Sequence, residues 1–399
     1  MRVAISEDPV CNMHACLRQP MRLCRWAGVF PVEGLNKKTC SKLRFNLHST
    51  YTFYYSMALL GQFLLTGASA YHFFINDLSF GHLTLLLFYL TAMITGCFLV
   101  KLASNWPTLV KEAGCIERRI ACISSGSCRP ENYTRIVCMT LFLSLVEHIL
   151  SVIYRMDLII QCNRDEKLNW HLLEHFLISS GKFLFNIISY NHWNALLFEL
   201  LNLQSTFLWN ITDAMTMCVS LYLTSYFRDL KKFIEHQQQL KITQWEEIRL
   251  HYSDLVKLVQ IVDSNMCYLI LLSFFTNLFF ICVQLFSLFN AVKSIYYYVY
   301  YCYSSLFLFG RATLTSLLAA NVNTEAMEPF YVLQHVPTEE YTVEVQRFIR
   351  QTRYTTTAIS GLFFDVTREM ILTVIGTIAK YELVLLQFSV KTYDALKNK

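Results

Sequence analysis

Charge is scarce in this 399-residue chain: Asp, Glu, Lys and Arg make up 16% of it, against about a quarter in soluble globular domains. That argues against a water-soluble fold. Glycine (12) and proline (7) are also few, which sets aside collagen-like, linker-rich and disordered classes. No block of five or six like charges is present, so nucleic acid is not an expected partner. The fourteen cysteines form no CxxC pair and no Cys/His cluster at zinc spacing. Several of them (Cys97, Cys218, Cys267, Cys282) lie inside apolar runs and read as small hydrophobes. No metal site and no cofactor is therefore expected. The isolated Ser, His and Asp residues form no nucleophile elbow, and an enzyme has no support. The N-terminus has no apolar core ending in small residues, so no cleaved signal peptide is visible and insertion is expected through the first span.

What the chain does have is apolar and aromatic side chains: 54% hydrophobic residues, with 30 Phe and 23 Tyr. Seven apolar stretches stand out, at 50 to 74, 82 to 104, 136 to 161, 192 to 227, 256 to 290, 295 to 320 and 359 to 390. A helix needs about 20 apolar residues to cross a bilayer. The expected fold is an all-α membrane protein with seven transmembrane helices. The stretch from His171 to Tyr190 carries Glu174, Lys182 and Asn186 and is expected to dip into the membrane or lie at its surface without crossing.

Lys and Arg are retained on the cytoplasmic side. With the N-terminus inside, 23 of the 34 basic residues fall on inner segments and seven on outer ones; Arg155, Arg311, Arg368 and Lys380 lie within spans. The expected topology has the N-terminus inside and the C-terminus outside. That is the reverse of a G-protein-coupled receptor, and neither Asp-Arg-Tyr after span three nor Asn-Pro-x-x-Tyr in span seven is found. Three spans approach 35 residues, which at 1.5 Å per residue gives about 50 Å of helix against a hydrocarbon core of about 30 Å. Arg228-Asp229-Leu230-Lys231-Lys232 after the fourth span and Trp245-Glu246-Glu247-Ile248-Arg249 before the fifth read as amphipathic extensions. A cytosolic helical bundle below the membrane is expected.

Near the C-terminus, Lys380-Tyr381-Glu382-Leu383-Val384-Leu385-Leu386-Gln387-Phe388 resembles the insect chemoreceptor signature, in which Thr-Tyr, five mostly hydrophobic residues and Gln-Phe close the seventh span. The longer stretch from Phe363-Phe364-Asp365-Val366-Thr367-Arg368 through Phe388 is similar to the sugar receptor branch of the insect gustatory receptor family. Further blocks agree in order: Gly28 to Gly34, Trp209-Asn210-Ile211-Thr212-Asp213, Ser273 to Leu285, and Leu308-Phe309-Gly310-Arg311-Ala312. The departure is Lys380, where the family usually has Thr. The resemblance implies a tetrameric, ligand-gated, non-selective cation channel with a sugar pocket in the outer half of helices one to six and a central pore lined by the seventh. On that reading residues 1–49 are a cytoplasmic segment, 50–354 the ligand-binding helices with their cytosolic extensions, and 355–399 the pore helix and extracellular C-terminus.

Candidate ligand groups share helical faces in the outer half of the spans. His192, Glu199 and Asn202 lie at i, i+7 and i+10 on the fourth span, beside Trp193. Glu147 and Tyr154 are seven apart on the third, Asn277 and Gln284 on the fifth, and Tyr300 belongs to a tyrosine stripe on the sixth. Sugars need this mixture, because aromatic faces cover C–H groups while carboxylates, amides and phenols bond hydroxyls. Glu199 and Trp193 stand first among these candidates. Polar residues inside a membrane can equally pair with one another across helices, which is the expected role of Asn210, Asp213 and Arg311. Many tyrosines serve as interfacial anchors.

On the seventh span Thr373, Thr377, Lys380, Val384 and Gln387 recur at steps of four and three, the seam that would face a central axis in a tetramer. The resemblance puts the gate near Gln387 and Phe388, with Val384. Lys380 on that seam would place positive charge in a cation pathway, unless it turns to pair with an acid, loses its charge by burial, or shares the pore with other gustatory receptor subunits. The expected setting is the plasma membrane of sensory neurons, with lipid around the helices, a sugar as ligand, and a homo- or heterotetramer. The rivals are a receptor channel for another small tastant such as a polyol, and a secondary transporter, whose paired broken helices are not visible.

Overall fold

The computed structural model describes residues 12–37, 39–76, 79–123, 130–162, 172–240, 243–288, 294–378 and 380. Ten helices are bounded along it: α1 (Asn12–Trp26), α2 (Thr50–Ile75), α3 (Phe80–Arg119), α4 (Pro130–Cys162), α5 (Leu172–Ser180), α6 (Lys182–Phe185), α7 (His192–Gln239), α8 (Trp245–Leu288), α9 (Ile295–Leu333) and α10 (Val343–Tyr354). An eleventh helical stretch runs from 368 to 378. Short polar side chains open several of them, as N-cap chemistry requires: Ser49 accepts from the N–H of Tyr51, Ser79 from that of His82 and Asn191 from that of Trp193. The only strand pairing among the described residues is the two-residue antiparallel ladder of β1 (Val32–Glu33) and β2 (Arg44–Phe45).

Among the described residues, five helices are long and apolar enough by composition to cross a bilayer: α2, α3, the Glu131–Gln161 part of α4, α8 and α9. They expose large apolar side chains along their flanks, including Phe53, Met57, Leu60 and Leu64 on α2 and Phe142, Ile149 and Ile153 on α4. An apolar surface of that extent belongs against lipid. The chain is thus an all-α, multi-pass membrane protein.

The expected span at 192–227 lies within one continuous 48-residue helix, α7. Its first turns expose Leu196, Leu197 and Leu200, while further along it packs against α2, α3, α4, α8 and α9 and can bury Asn202, Ser205, Asn210, Thr212, Asp213 and Thr216. Its hydroxyls are satisfied one turn back, Thr212 on the carbonyl of Leu208 at 3.1 Å and Thr216 on that of Thr212 at 3.0 Å. One of the expected spans needs correction: the stretch 359–390 does not begin as helix. Asp263 accepts hydrogen bonds from the Ser360 N–H (2.6 Å) and hydroxyl (2.7 Å), Ser360 pairs with Asp365, and Leu362 adopts a positive φ of 68°. This knot holds the chain out of helix until residue 368. Val384, Gln387 and Phe388 lie outside the described residues.

The long helices extend further than the apolar runs suggest. At 1.5 Å per residue the 40 residues of α3 and the 39 of α9 join α7 and the 44 of α8 as rods well beyond bilayer thickness, because the polar segments after Val100 and Ala320 continue the helix. Residues 172–185, expected not to cross, form only α5 and α6, of nine and four residues.

The inner ends of the rods pack around one core that includes Trp106, Tyr222, Phe227, Tyr252 and Phe348. Helix α1 is docked there by charge as well as by apolar contact. The buried Glu117 carboxylate accepts the N–H groups of Asn12 and Met13, both at 2.8 Å, and the Tyr222 hydroxyl at 2.6 Å. An anion at a helix N-terminus satisfies donors that have no partner within the helix. After α1, Gly28 (φ 74°) and Gly34 (φ 84°) take backbone conformations that favour glycine; a Cβ on Gly34 would meet the Lys42 carbonyl oxygen at 2.1 Å. Ion pairs tie the inner bundle laterally: Arg119–Asp254 and Arg228–Glu325 at 2.7 Å, Lys231–Glu328 at 2.8 Å and Arg249–Glu344 at 2.7 Å. The Arg249 guanidinium holds the Glu344 carboxyl below its ordinary value.

Candidate functional site

Toward the end of the bundle where α4 and α8 finish and α7 and α9 begin, the helices separate around a cavity of about 240 Å³. Helix α3 supplies Leu85, Phe88 and Tyr89, α4 supplies Glu147, His148, Ser151 and Arg155, and α7 supplies Asn202, Thr206 and Trp209; Ser180, Phe280, Gln284 and Tyr300 complete the wall. The wall mixes aromatic faces with a carboxylate, a guanidinium, amides, an imidazole and hydroxyls. Pockets for small organic ligands usually measure about 300–1,000 Å³, so this volume suits a small one.

A hydrogen-bonded chain organises one side. The Gln284 amide donates to the Ser304 hydroxyl at 2.9 Å, and Ser304 donates to the Glu147 carboxylate. Opposite, the Tyr89 hydroxyl donates to Asn202 Oδ1 at 3.3 Å. Not every group is satisfied: Gln284 Oε1 and the Ser180 hydroxyl are buried without a hydrogen-bond partner. Buried polar atoms are nearly always paired, so acceptor and hydroxyl groups left over at the edge of an open space mark where a polar ligand or water can bond.

Of the residues expected from sequence, Glu147, Asn202, Gln284 and Tyr300 meet at this cavity. Tyr154 stands behind it, its ring stacked on Tyr300 at 5.6 Å and 9°. Asn277 lies deeper. His192 and Trp193 open α7 at its exposed end, where the Trp193 ring is 76% exposed and the His192 imidazole lies 3.1 Å from the Tyr190 hydroxyl. Glu199 is half-buried, off the cavity wall, with a buried Oε1 that has no hydrogen-bond partner. Sequence reasoning passed over His148, Ser151 and Arg155. The signal was present: they recur at i, i+3 and i+7 beside Glu147, on the face that Glu147 and Tyr154 had already marked.

About three turns further in, the same three helices form a second polar layer. Asp213, Ser273 and Arg311 each lie eleven residues inward of Asn202, Gln284 and Tyr300. Arg311 Nε is 2.7 Å from Asp213 Oδ2, an ionic contact between side chains 3% and 0% exposed. Its Nη1 donates to Asn210 and its Nη2 to Asn277 Oδ1 at 3.2 Å. Asn277 donates to both Asp213 oxygens, at 3.2 and 3.1 Å, and Ser273 also donates to Asp213. The guanidinium lies 4.6 Å from the Trp209 ring centroid and 5.2 Å from that of Phe307. The cross-helix pairing expected of Asn210, Asp213 and Arg311 is what the structure contains.

The layers are joined. Trp209 lines the cavity and donates its indole N–H to Asn277 Oδ1 at 2.9 Å. Asn277 and Ser273 in turn line a smaller space, about 50 Å³, closed on its far side by Met370, Ile371, Val374, Ile375 and Ile378 of the C-terminal helix. That helix turns Ile371 inward and leaves Leu372, Thr373, Ile375, Thr377 and Lys380 exposed in the single chain.

The profile of the trehalose receptor family matches residues 10–396. The gustatory receptor 5a for trehalose of Drosophila melanogaster is 30% identical over 393 residues, covering 96% of this chain and 87% of that protein. The gustatory receptor for sugar taste 64f of the same fly is 28% identical over 383 residues, covering 94% and 81%. Among solved structures, the insect olfactory receptor OR5 from Machilis hrabei in complex with eugenol superposes with a TM-score of 0.65 at 15% identity, covering 94% of this chain and 99% of that one, and so shares its fold. The chain belongs to the trehalose receptor family, the sugar branch of the insect gustatory receptors, and is a membrane receptor and not an enzyme.

Proposed function

We propose that this receptor is a sugar-gated, non-selective cation channel of the sensory-neuron plasma membrane, in which a sugar enters the cavity between α3, α4, α7, α8 and α9 and opens a central pore lined by the C-terminal helices of four subunits. The N-terminus lies in the cytosol on this reading, which the 23 basic residues on inner segments against seven on outer ones support. The cavity then faces the outside. Family relatives named for trehalose and sugar taste support a sugar as the ligand. Glu147, Arg155, Asn202 and Gln284 would bond its hydroxyls, and Tyr300 and Trp209 would cover its C–H faces. Val384, Gln387 and Phe388 would form the gate.

The observation that carries the reading is the continuous path from cavity wall to C-terminal helix through Trp209 and Asn277. A ligand opens a channel only by binding the open arrangement more tightly than the closed one, and each factor of ten in that ratio is worth about 1.4 kcal/mol. Trp209 is placed to sense the ligand and to report it one hydrogen bond away.

Calcium imaging of cells expressing only this chain, against a panel of mono- and disaccharides, tests the proposal. A sugar-evoked calcium rise supports it. Silence to every sugar from surface-expressed protein, with a response to polyols, would favour a polyol receptor. Uptake of labelled sugar without current would favour a transporter.

A further inference from the structure

The inner end of the bundle holds a cluster that the sugar reading does not use. Cys122 sits in the turn that follows α3, anchored between the buried Ile120 and Ile123. It meets α8 at Glu247 and His251, which are four residues apart and therefore on one helical face. Cys122 Sγ lies 3.3 Å from His251 Nε2, and His251 Nε2 lies 3.4 Å from Glu247 Oε1. All three ligand atoms fall within 4.8 Å of one another. No spacing in the sequence could show this, because 129 residues separate Cys122 from His251.

We propose that Cys122, Glu247 and His251 form a zinc site that staples the end of α3 to the start of α8. Around tetrahedral zinc, with about 2.3 Å to sulfur and 2.0–2.1 Å to nitrogen or oxygen, neighbouring ligand atoms stand about 3.3 to 3.6 Å apart. The Cys–His and His–Glu separations already have that value, so binding needs only Glu247 and Cys122 to close on each other. Thiolate, imidazole and carboxylate are the donors zinc prefers, and the two anions match the ion's double charge.

The surroundings fit an ion site. Phe233 sets its ring edge against the His251 imidazole, 6.1 Å between centroids at 84°, and so walls one side with hydrocarbon. Glu247 also lines a cavity of about 630 Å³ open to the bundle surface, and Cys122 is itself exposed, so an ion can reach the cluster. The frame is already in register one turn away, where Arg119 pairs with Asp254 at 2.7 Å. On the cytosolic side, where the basic-residue bias puts this end, the thiol stays reduced and available.

The test uses the full-length protein in detergent, stripped with chelator, incubated with zinc chloride, passed through a sizing column and assayed for bound metal by mass spectrometry. Wild type should keep about one zinc per chain. Cys122→Ser and His251→Ala should lose it, Glu247→Gln should bind at least tenfold more weakly, and Cys115→Ser, on α3 just before that turn and outside the cluster, should bind as wild type does. Cobalt loaded in place of zinc should give wild type a thiolate-to-metal absorption band, a readout that needs no variant to fold. Equal zinc in wild type and the cluster variants, or no thiolate–cobalt band in wild type, would overturn the site.

Discussion

Two polar layers about three turns apart share α7, α8 and α9, with the outer carboxylate and guanidinium supplied by α4, yet one is closed and the other open. In the inner layer Asp213, Arg311, Asn277 and Asn210 pair with one another, Arg311 Nε meeting Asp213 by ionic contact without an aligned hydrogen bond, and Asp213 is completely buried. In the outer layer Glu147, Arg155, Asn202 and Gln284 stand around about 240 Å³ of space, with a buried oxygen of Gln284 unpaired. In a membrane protein a polar residue is thus assigned a role by what remains unsatisfied around it. The closed layer holds helices together; the open one is where we propose that the ligand binds.

The largest effect should come from opening the closed layer. Removing one partner of a buried ion pair leaves an uncompensated charge and typically costs about 3 to 5 kcal/mol. Arg311→Leu should therefore abolish surface expression, and the double change Asp213→Leu with Arg311→Met should restore part of it, as fluorescence-detected size exclusion would show. A well-folded Arg311→Leu single variant would erase the distinction between the layers.

Next comes the open layer, where the cost should fall on the ligand and not on the fold. Glu147→Gln weakens a hydrogen bond to a charged group, worth about 1.5 to 3 kcal/mol, so the sugar dose-response should move about 10- to 150-fold to higher concentration with normal surface expression. Trp193→Ala should hardly move it, because that ring is 76% exposed and off the cavity wall. A shift for Trp193 without one for Glu147 would relocate the site to the outer rim of α7.

Much of this contrast was legible in sequence, for physical reasons that can be named. Helical periodicity put Glu147 beside Tyr154 and marked Asn202 and Gln284, and the improbability of lone charges in a bilayer assigned Asp213 and Arg311 cross-helix contacts without naming their partners. What could not be read was the rotation of each helix about its axis. Asn277 and Gln284, one stripe on α8, serve different layers because they are seven residues apart in depth. His192, grouped with Asn202 from the sequence, and Trp193 beside it lie at the exposed start of α7, too far out to reach the cavity. Nor could apolar content reveal that Asp263 keeps residues 359–367 out of helix.

The smallest expected effect concerns the inner bundle at lower pH. Burial is the main cause that lowers the pKa of His14, on α1, below its ordinary 6.5, against a hydrogen bond to the Lys37 carbonyl that raises it. A histidine lowered in the folded state contributes its full stability above pH 6.5 and loses it as pH falls through that value toward the lowered one. Thermal stability should drop between pH 7.5 and 5.5, and His14→Gln should flatten that dependence while leaving sugar sensitivity alone. An unchanged slope would remove His14 from the docking of α1.

The central claim is that the open layer is where the sugar sits, and a thiol placed in it asks this directly. Ser151 lines the cavity on α4 beside Arg155. In Ser151→Cys receptors on intact cells, the rate of modification by an impermeant methanethiosulfonate reagent should fall several-fold when an activating sugar is present, and should not fall with a sugar that evokes no response. Equal modification rates with and without the activating sugar would show that the ligand binds elsewhere.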